Sequence, residues 1–202
     1  MSSVTLYRAS GLALLLGTAL VIIGLPMSFV FTPDSSLALA MIGVWTCGIV
    51  LVQLGLPGIV ARQASRAGWL GYVGFVLTFS GGFLLASFFA VLDLTVFPWL
   101  DFRAPLLSFQ FFSTNSAVHV YLAVVSALIG VGGVLLGIAT IRARVFPRWA
   151  GLLLIVGLVG LGGAFVNVFL SSALVFGMCG LGWIGYVLVT ADDEAIAQRV
   201  AA

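Results

Sequence analysis

Six long apolar stretches, separated by short polar connections, run from one end of the chain to the other. They cover about 9–30, 36–57, 69–92, 117–140, 150–168 and 172–190, and no charged residue lies inside any of them. A helix that crosses a bilayer needs about 20 mostly apolar residues. The alternating pattern of a membrane barrel is missing from the sequence. We therefore predict an all-α bundle of six transmembrane helices that forms a single domain, 1–202.

Length supports the prediction of the first helix and the division between the last two. The apolar run 11–31 exceeds the roughly 7–15 apolar residues of a signal peptide, so it is expected to be retained as the first helix. The last two stretches are separated only by Asn167, Ser171 and Ser172. One helix of their combined length would be about twice the bilayer thickness, so a tight hairpin is predicted there.

The arginines predict the orientation of the bundle. All eight basic residues of the chain are arginine. With six crossings, only Arg103 falls on one side, whereas the rest fall on the other. Basic residues concentrate on the cytoplasmic side of membrane proteins. Both termini are therefore expected in the cytoplasm, in a multi-pass protein of the plasma (inner) membrane. The seven arginines of that side are Arg8, Arg62, Arg66, Arg142, Arg144, Arg148 and Arg199.

Composition supports the same class of protein. Hydrophobic residues make up 62% of the chain and charged residues 7%, against about 25% charged in soluble domains. The formal net charge of +2 is not the clustered basic face of a nucleic-acid-binding domain, so no nucleic-acid partner is expected. Cys47 and Cys179 lie deep in apolar runs and are expected to be buried packing residues.

A possible repeat runs through the chain. With an offset of 82 residues, Gly48 superimposes on Gly130, Gly55 on Gly137 and Arg62 on Arg144. An arginine also precedes every odd stretch. These matches favour three helical hairpins in parallel repeat, with an outer loop, 93–116, inserted in the second. The alternative is independent placement of arginines at the cytoplasmic interface. The arginines that precede the odd stretches are Arg8, Arg66 and Arg148.

Small residues at helical spacing predict how the helices pack. Gly133 and Gly137 form a GxxxG pair, and Ala173 and Gly177 form a similar small-residue pair. Such pairs join helices within one chain or, alternatively, between subunits of a homo-oligomer. Gln53 is expected to hydrogen bond to a neighbouring helix.

Several chemistries are excluded by what the sequence lacks. Without a lysine no retinal Schiff base forms, and with His119 as the sole histidine no bis-histidine haem forms within the chain. No nucleotide-binding, metalloprotease or serine-hydrolase motif is present. We expect no cofactor, no metal site and no catalytic residues.

Polar chemistry gathers at the predicted outer side. Asp93, Asp101, Arg103 and His119 surround or lie in the outer loop 93–116, among aromatic residues. One interpretation is an interfacial segment with its aromatics at headgroup depth. The other is a lid over an outward-facing cavity, in which these four residues bind a polar headgroup or solute.

Five arginines are candidate contacts for anionic lipid at the cytoplasmic side. Membrane topology alone would also place arginines there, so both interpretations stay open. The five are Arg62, Arg66, Arg142, Arg144 and Arg148.

Two segments, 55–68 and 145–154, give the chain its resemblance to known sequences. It resembles uncharacterised multi-helix bacterial integral membrane proteins of the domain-of-unknown-function type. The resemblance covers the cytoplasmic connections and the general layout. It implies a multi-helix membrane protein but assigns no activity and transfers no functional residue.

Three functions are compatible with this sequence. The leading hypothesis is a non-enzymatic small bundle or an accessory subunit of a membrane complex. The second is a transporter or permease-like protein for a neutral or lipidic solute, based on the repeat and the polar outer loop. The third is a lipid-acting membrane enzyme that uses His119 with Asp93 or Asp101.

Overall fold

The described part of the chain is all-helical, as predicted. The computed structural model describes residues 3–30, 35–104, 106–107, 111, 116–163 and 173–190, and no strand occurs among them. A π-helical stretch, Leu92–Val96, continues the second helix into the third, so the described start of the predicted outer loop is helical. The helices are α1 (Ser3–Val30), α2 (Ser36–Val91), α3 (Phe97–Arg103), α4 (Ser116–Ala143), α5 (Arg148–Gly163) and α6 (Ala173–Val189).

Among the described residues, three helical segments are long and apolar enough to cross a membrane. They are Thr5–Ser28, Ser36–Leu100 and Ser116–Ala143, whereas Arg148–Leu161 and Ala173–Val189 are shorter apolar helices. Large apolar side chains on their outer faces, such as Leu16, Leu54 and Val120, are exposed. A surface of this kind is typical of a protein whose surroundings are hydrocarbon rather than water.

Helix α2 is folded back on itself at Gly68. Its 56 residues would span about 84 Å if straight, far more than a bilayer's hydrocarbon core of about 30 Å. Gly68 has a φ of 59° and a ψ of −159°, a conformation that only glycine adopts readily. Residues on either side of Gly68 then meet: Gln53 contacts Gly82, and the ring of Trp45 packs edge-on against Phe89. The two arms, 36–67 and 69–91, are therefore antiparallel.

The two arms of α2 and the helices α1, α4, α5 and α6 form a closed ring. Each segment packs against its neighbour in the sequence, and α6 returns to pack against α1. Glycines mediate these contacts because their missing side chains let backbones approach closely. The pairs are Gly17 with Gly48, Gly74 with Leu136, Gly137 with Gly151, Gly157 with Gly177 and Gly185 with Gly11, and Gln53 with Gly82 joins the two arms.

One type of backbone contact recurs at seven described glycines around this ring, namely Gly17, Gly24, Gly48, Gly74, Gly157, Gly180 and Gly185. A methyl group built on Gly17 would meet the carbonyl oxygen of Gly48 and the amide nitrogen of Val52, four residues further on. Gly74 and Gly157 face the same pair of backbone atoms on their own partner helices. These partner atoms belong to Gly132 and Leu136 for Gly74, and to Ala173 and Gly177 for Gly157.

Gly55 and Gly137, which the predicted offset superimposes, face different neighbours. Gly55 packs against Leu14 of α1, the preceding helix, whereas Gly137 packs against Ile155 of α5, the following helix.

The prediction that both cysteines are buried is wrong. Cys47 and Cys179 are free thiols on the exposed face of their helices. In a soluble helix an apolar residue usually faces the core, but a membrane helix is apolar around its whole circumference. Apolar surroundings in the sequence therefore do not tell which face of such a helix is inside.

Candidate functional site

The turn between α4 and α5 forms an open, positively charged cleft. We call it the arginine cleft; its volume is about 430 Å³, and Ile141, Arg142, Arg144 and Arg148 line it. All three arginines are exposed, and none forms an ion pair with a described residue. Guanidinium groups present planar sets of N–H donors that match phosphate and carboxylate oxygens. The cleft therefore has the chemistry of an anion site.

Local sequence explains why the cleft keeps its shape. Arg144 has a φ of 54°, in the left-handed region, and this conformation ends α4 and turns the chain. Phe146 is buried and anchors the turn to the core. The carbonyl of Pro147 then accepts a hydrogen bond of 3.0 Å from the amide of Ala150, in the first turn of α5. Both ends of the turn are thus held by the protein itself.

The other two predicted lipid contacts, Arg62 and Arg66, lie on the first arm of α2 outside the cleft. Arg62 is half-buried, and its Nη1 donates a hydrogen bond of 2.9 Å to the carbonyl of Val187 in the last turn of α6. Its guanidinium also lies 5.7 Å from the ring centre of Phe146. Carbonyls at a helix end lack helical partners, so Arg62 satisfies one and ties α2 to α6. Arg66 is exposed.

No bond joins the described side chains of the predicted outer cluster to one another. Asp93 is half-buried in the π-helical stretch, and the Arg103 guanidinium stacks 4.9 Å from the ring centre of Trp99. His119 is exposed near the start of α4. No hydrogen bond or ion pair joins Asp93, Arg103 and His119 to one another. Asp101 belongs to α3, but its side chain lies outside the described part of the chain.

A second polar region lies inside the ring, and of its members the sequence predicted only Gln53. Gln63 is fully buried, and its Oε1 accepts a hydrogen bond of 3.2 Å from the Thr140 hydroxyl. We call the buried polar side chains of α2 and α4 the polar seam. Its members are Thr46, Gln53, Gln63, Thr78, Ser126 and Thr140.

Glycines on neighbouring helices make room for this seam. The Gln63 Nε2 lies 3.7 Å from the position that a Cβ on Gly71 would take. The amide of Gln53 packs directly against Gly82, and the Thr78 hydroxyl lies 2.6 Å from the Cβ position of Gly132. These contacts place the seam at the junction of the two arms of α2 with α4.

Five atoms of the polar seam have no hydrogen-bond partner. An unpaired buried polar group costs about 1–3 kcal/mol. Five such groups in a dry interior would together cost as much as the whole stability of a typical domain, about 5–15 kcal/mol. The expected interhelical bond of Gln53 is not made through its Oε1, which is one of the five. The atoms are Thr46 Oγ1, Gln53 Oε1, Gln63 Nε2, Thr78 Oγ1 and Ser126 Oγ.

The described part of the chain offers few side chains that could bind a ligand other than by hydrogen bonding. There, no group of three or more His, Cys, Asp or Glu side chains lies close enough to hold a metal ion.

Comparison with known proteins adds no candidate activity: no protein-family model matches the chain, and neither does a curated protein or a solved structure.

Proposed function

We propose that the chain is a non-enzymatic integral membrane protein of the plasma membrane that binds acidic lipid headgroups in its arginine cleft. It crosses the bilayer six times with both termini in the cytoplasm, and acts as a small bundle or as an accessory subunit of a membrane complex. The observation that carries this proposal is the cleft itself, with three exposed arginines that have no protein counter-ion among the described residues.

The fold of α2 supports six crossings. Its antiparallel arms each have the length of one crossing, and the turn between them lies beside Arg66. The hydrogen bond from Arg62 to Val187 brings the end of α6 to this same end of the bundle. Arg62 also stacks over Phe146, which brings the turn between α4 and α5 there as well. Arginines thus gather at one end of the ring, as expected for a cytoplasmic face.

Three repeated hairpins are part of this proposal: α1 with the first arm of α2, the second arm of α2 with α4, and α5 with α6. Gly17, Gly74 and Gly157 each lie on the first helix of a hairpin and face equivalent backbone atoms of the second helix. Other glycines of the ring make the same contact. The support for a repeat therefore comes from the position of these three glycines, each of which follows an arginine by eight or nine residues.

Two exposed tryptophans favour a lipid headgroup over a soluble anion as the ligand of the cleft. Trp149, next to Arg148, is 67% exposed, and Trp69, next to Gly68, is 74% exposed. Tryptophan is enriched at membrane–water interfaces because its ring is apolar and its N–H is polar. The arginine end of the bundle is therefore suited to headgroup depth.

Lipid binding by the purified protein tests this function. A labelled lipid with a phosphatidylglycerol headgroup is titrated against the protein in neutral detergent, and the triple variant R142Q/R144Q/R148Q is compared with Arg103→Gln. Each arginine at a membrane surface contributes about 1 kcal/mol, so the triple variant should bind about 100-fold more weakly. Arg103→Gln should bind like the wild type. Equal affinity of the triple variant and the wild type would refute the proposed function.

A further inference from the structure

The three arginines of the cleft come from both helices that flank it. Arg142 lies in the last turn of α4, Arg144 lies in the turn itself, and Arg148 is the first residue of α5. All three line the same cleft, and no described acidic side chain lines it with them. Guanidinium groups therefore enter the cleft from two helix ends and from the turn between them, and their charges are not balanced by a described residue.

A single phosphodiester is a poor match for three guanidinium groups. A guanidinium binds a phosphate best through two parallel N–H···O bonds. The phosphodiester of phosphatidylglycerol has two unesterified oxygens, which together accept one such pair of bonds. The remaining guanidinium groups attract it mainly through their charge. A headgroup with two phosphates has at least twice as many unesterified oxygens and at least twice the charge, so it can engage more of the cleft.

The size of the cleft also suits a headgroup larger than one phosphate. Its volume of about 430 Å³ lies within the range of about 300–1,000 Å³ that is usual for small-molecule sites. Ile141 adds an apolar side chain to the lining, and Trp149, beside Arg148, is exposed. Basic pockets between transmembrane helices on the cytoplasmic side bind the headgroups of lipids with more than one phosphate, such as cardiolipin.

We propose that the arginine cleft selects lipids that carry two phosphate groups, through the guanidinium groups of Arg142, Arg144 and Arg148. This inference rests on the proposed function, because it names the headgroup that the same cleft prefers. Two kinds of lipid have this chemistry. In cardiolipin two phosphodiesters are joined by glycerol, whereas in an isoprenyl diphosphate the two phosphates are adjacent.

Two matched pairs of lipids, each differing by one phosphate, test the preference. Dissociation constants in neutral detergent are compared for cardiolipin and phosphatidylglycerol, and for farnesyl diphosphate and farnesyl monophosphate. In at least one pair the wild type should bind the lipid with two phosphates about tenfold more tightly, which corresponds to one additional charged hydrogen bond. The pair that shows this difference identifies the kind of lipid, and a difference in both pairs means that the cleft does not distinguish the spacing of the phosphates.

Equal binding within both pairs would overturn this inference. The proposed function would still stand if R142Q/R144Q/R148Q bound phosphatidylglycerol more weakly than the wild type. If that variant bound phosphatidylglycerol like the wild type, the proposed function and this inference would both fail.

A variant that preserves charge separates hydrogen bonding from charge. R142K/R144K/R148K keeps three positive charges, but an ammonium group lacks the planar set of donors. Its preference for the lipid with two phosphates should therefore be smaller than that of the wild type. Arg103→Lys, which lies outside the cleft, should keep the wild-type preference. An equal preference in the triple lysine variant would overturn the inference, because charge alone would then explain the selection.

Discussion

Glycine has one role in the contact between α5 and α6 and a different role in the polar seam. In the first, Gly157 packs directly against the backbone of Gly177, and nothing separates the two helices. In the seam, Gly82 packs against the side chain of Gln53. A glycine that faces backbone fixes the distance between two helices, whereas a glycine that faces a side chain makes room for a polar group.

This difference decides what a substitution would cost. A backbone that is clamped on both sides cannot move away from a new methyl group without separating the helices. The end of a glutamine side chain can move by rotating about its own bonds. The rigidity of the contacted atom therefore predicts the cost of a substitution better than the contact distance does.

The largest effect is expected for Gly157→Ala. Its methyl group would meet the backbone of Gly177, so the free energy of unfolding should fall by about 1–3 kcal/mol. Gly82→Ala should cost less than about 1 kcal/mol, because only the Gln53 amide has to move. Thermal midpoints of the two variants in the same detergent measure the difference. A cost for Gly82→Ala that equals or exceeds that for Gly157→Ala would contradict the comparison.

Loss of the Arg62 side chain should have an intermediate effect. The hydrogen bond of Arg62 joins α2 to α6. Helix α2 contains most of the polar seam, and α6 packs against α5 through glycine. Arg62→Gln removes a charged hydrogen bond to the Val187 carbonyl, and it should destabilise the protein by about 1–2 kcal/mol. Arg66→Gln, at an exposed position four residues away on the same arm, should change the midpoint by less than 1 °C, on the order expected for a surface site. Equal midpoints for the two variants would remove the structural role of Arg62.

Gly43→Ala should have the smallest effect, and of the opposite sign. Apart from its own helix backbone and chain neighbours, no described atom lies within 4 Å of the position its Cβ would take, and the residue is inside α2. Alanine stabilises a helix interior by about 0.5–1 kcal/mol relative to glycine. The thermal midpoint should rise slightly. A fall would show that Gly43 also faces a neighbour, for example in a homo-oligomer.

The sequence predicted the helical class because hydrocarbon satisfies no backbone groups, so apolar runs of sufficient length must be helical. It also located the change of direction near Gly68, where a short polar segment with two arginines interrupts the apolar pattern. It did not predict that helical structure continues through Pro57 and Gly58 to this turn.

The glycine positions contain a pattern that the predicted repeat did not use. Gly17, Gly74 and Gly157 follow Arg8, Arg66 and Arg148 by eight or nine residues, and each has another glycine six residues earlier. This spacing is a second pattern in favour of the predicted repeat, beside the 82-residue match, whose apolar matches composition partly explains.

The polar seam was missed for a physical reason. The sequence predicted a connecting loop at Gln63, and a glutamine in a loop is ordinarily solvated. In the structure the helical continuation of α2 buries it. Thr78 and Ser126 are single hydroxyls in apolar runs, and their orientation depends on helix rotation. No periodic signal reports that rotation when all faces of a helix are apolar.

The side of the membrane on which each turn lies tests the central claim most directly. In a Cys47→Ala/Cys179→Ala background, Arg66→Cys, Arg103→Cys and Arg144→Cys are each exposed to a membrane-impermeant maleimide on intact cells. The six-crossing account predicts that only Arg103→Cys is labelled, and that the other two react after permeabilisation. Labelling of Arg66→Cys together with Arg103→Cys on intact cells would contradict it, because the second arm of α2 would then not cross the membrane between these positions.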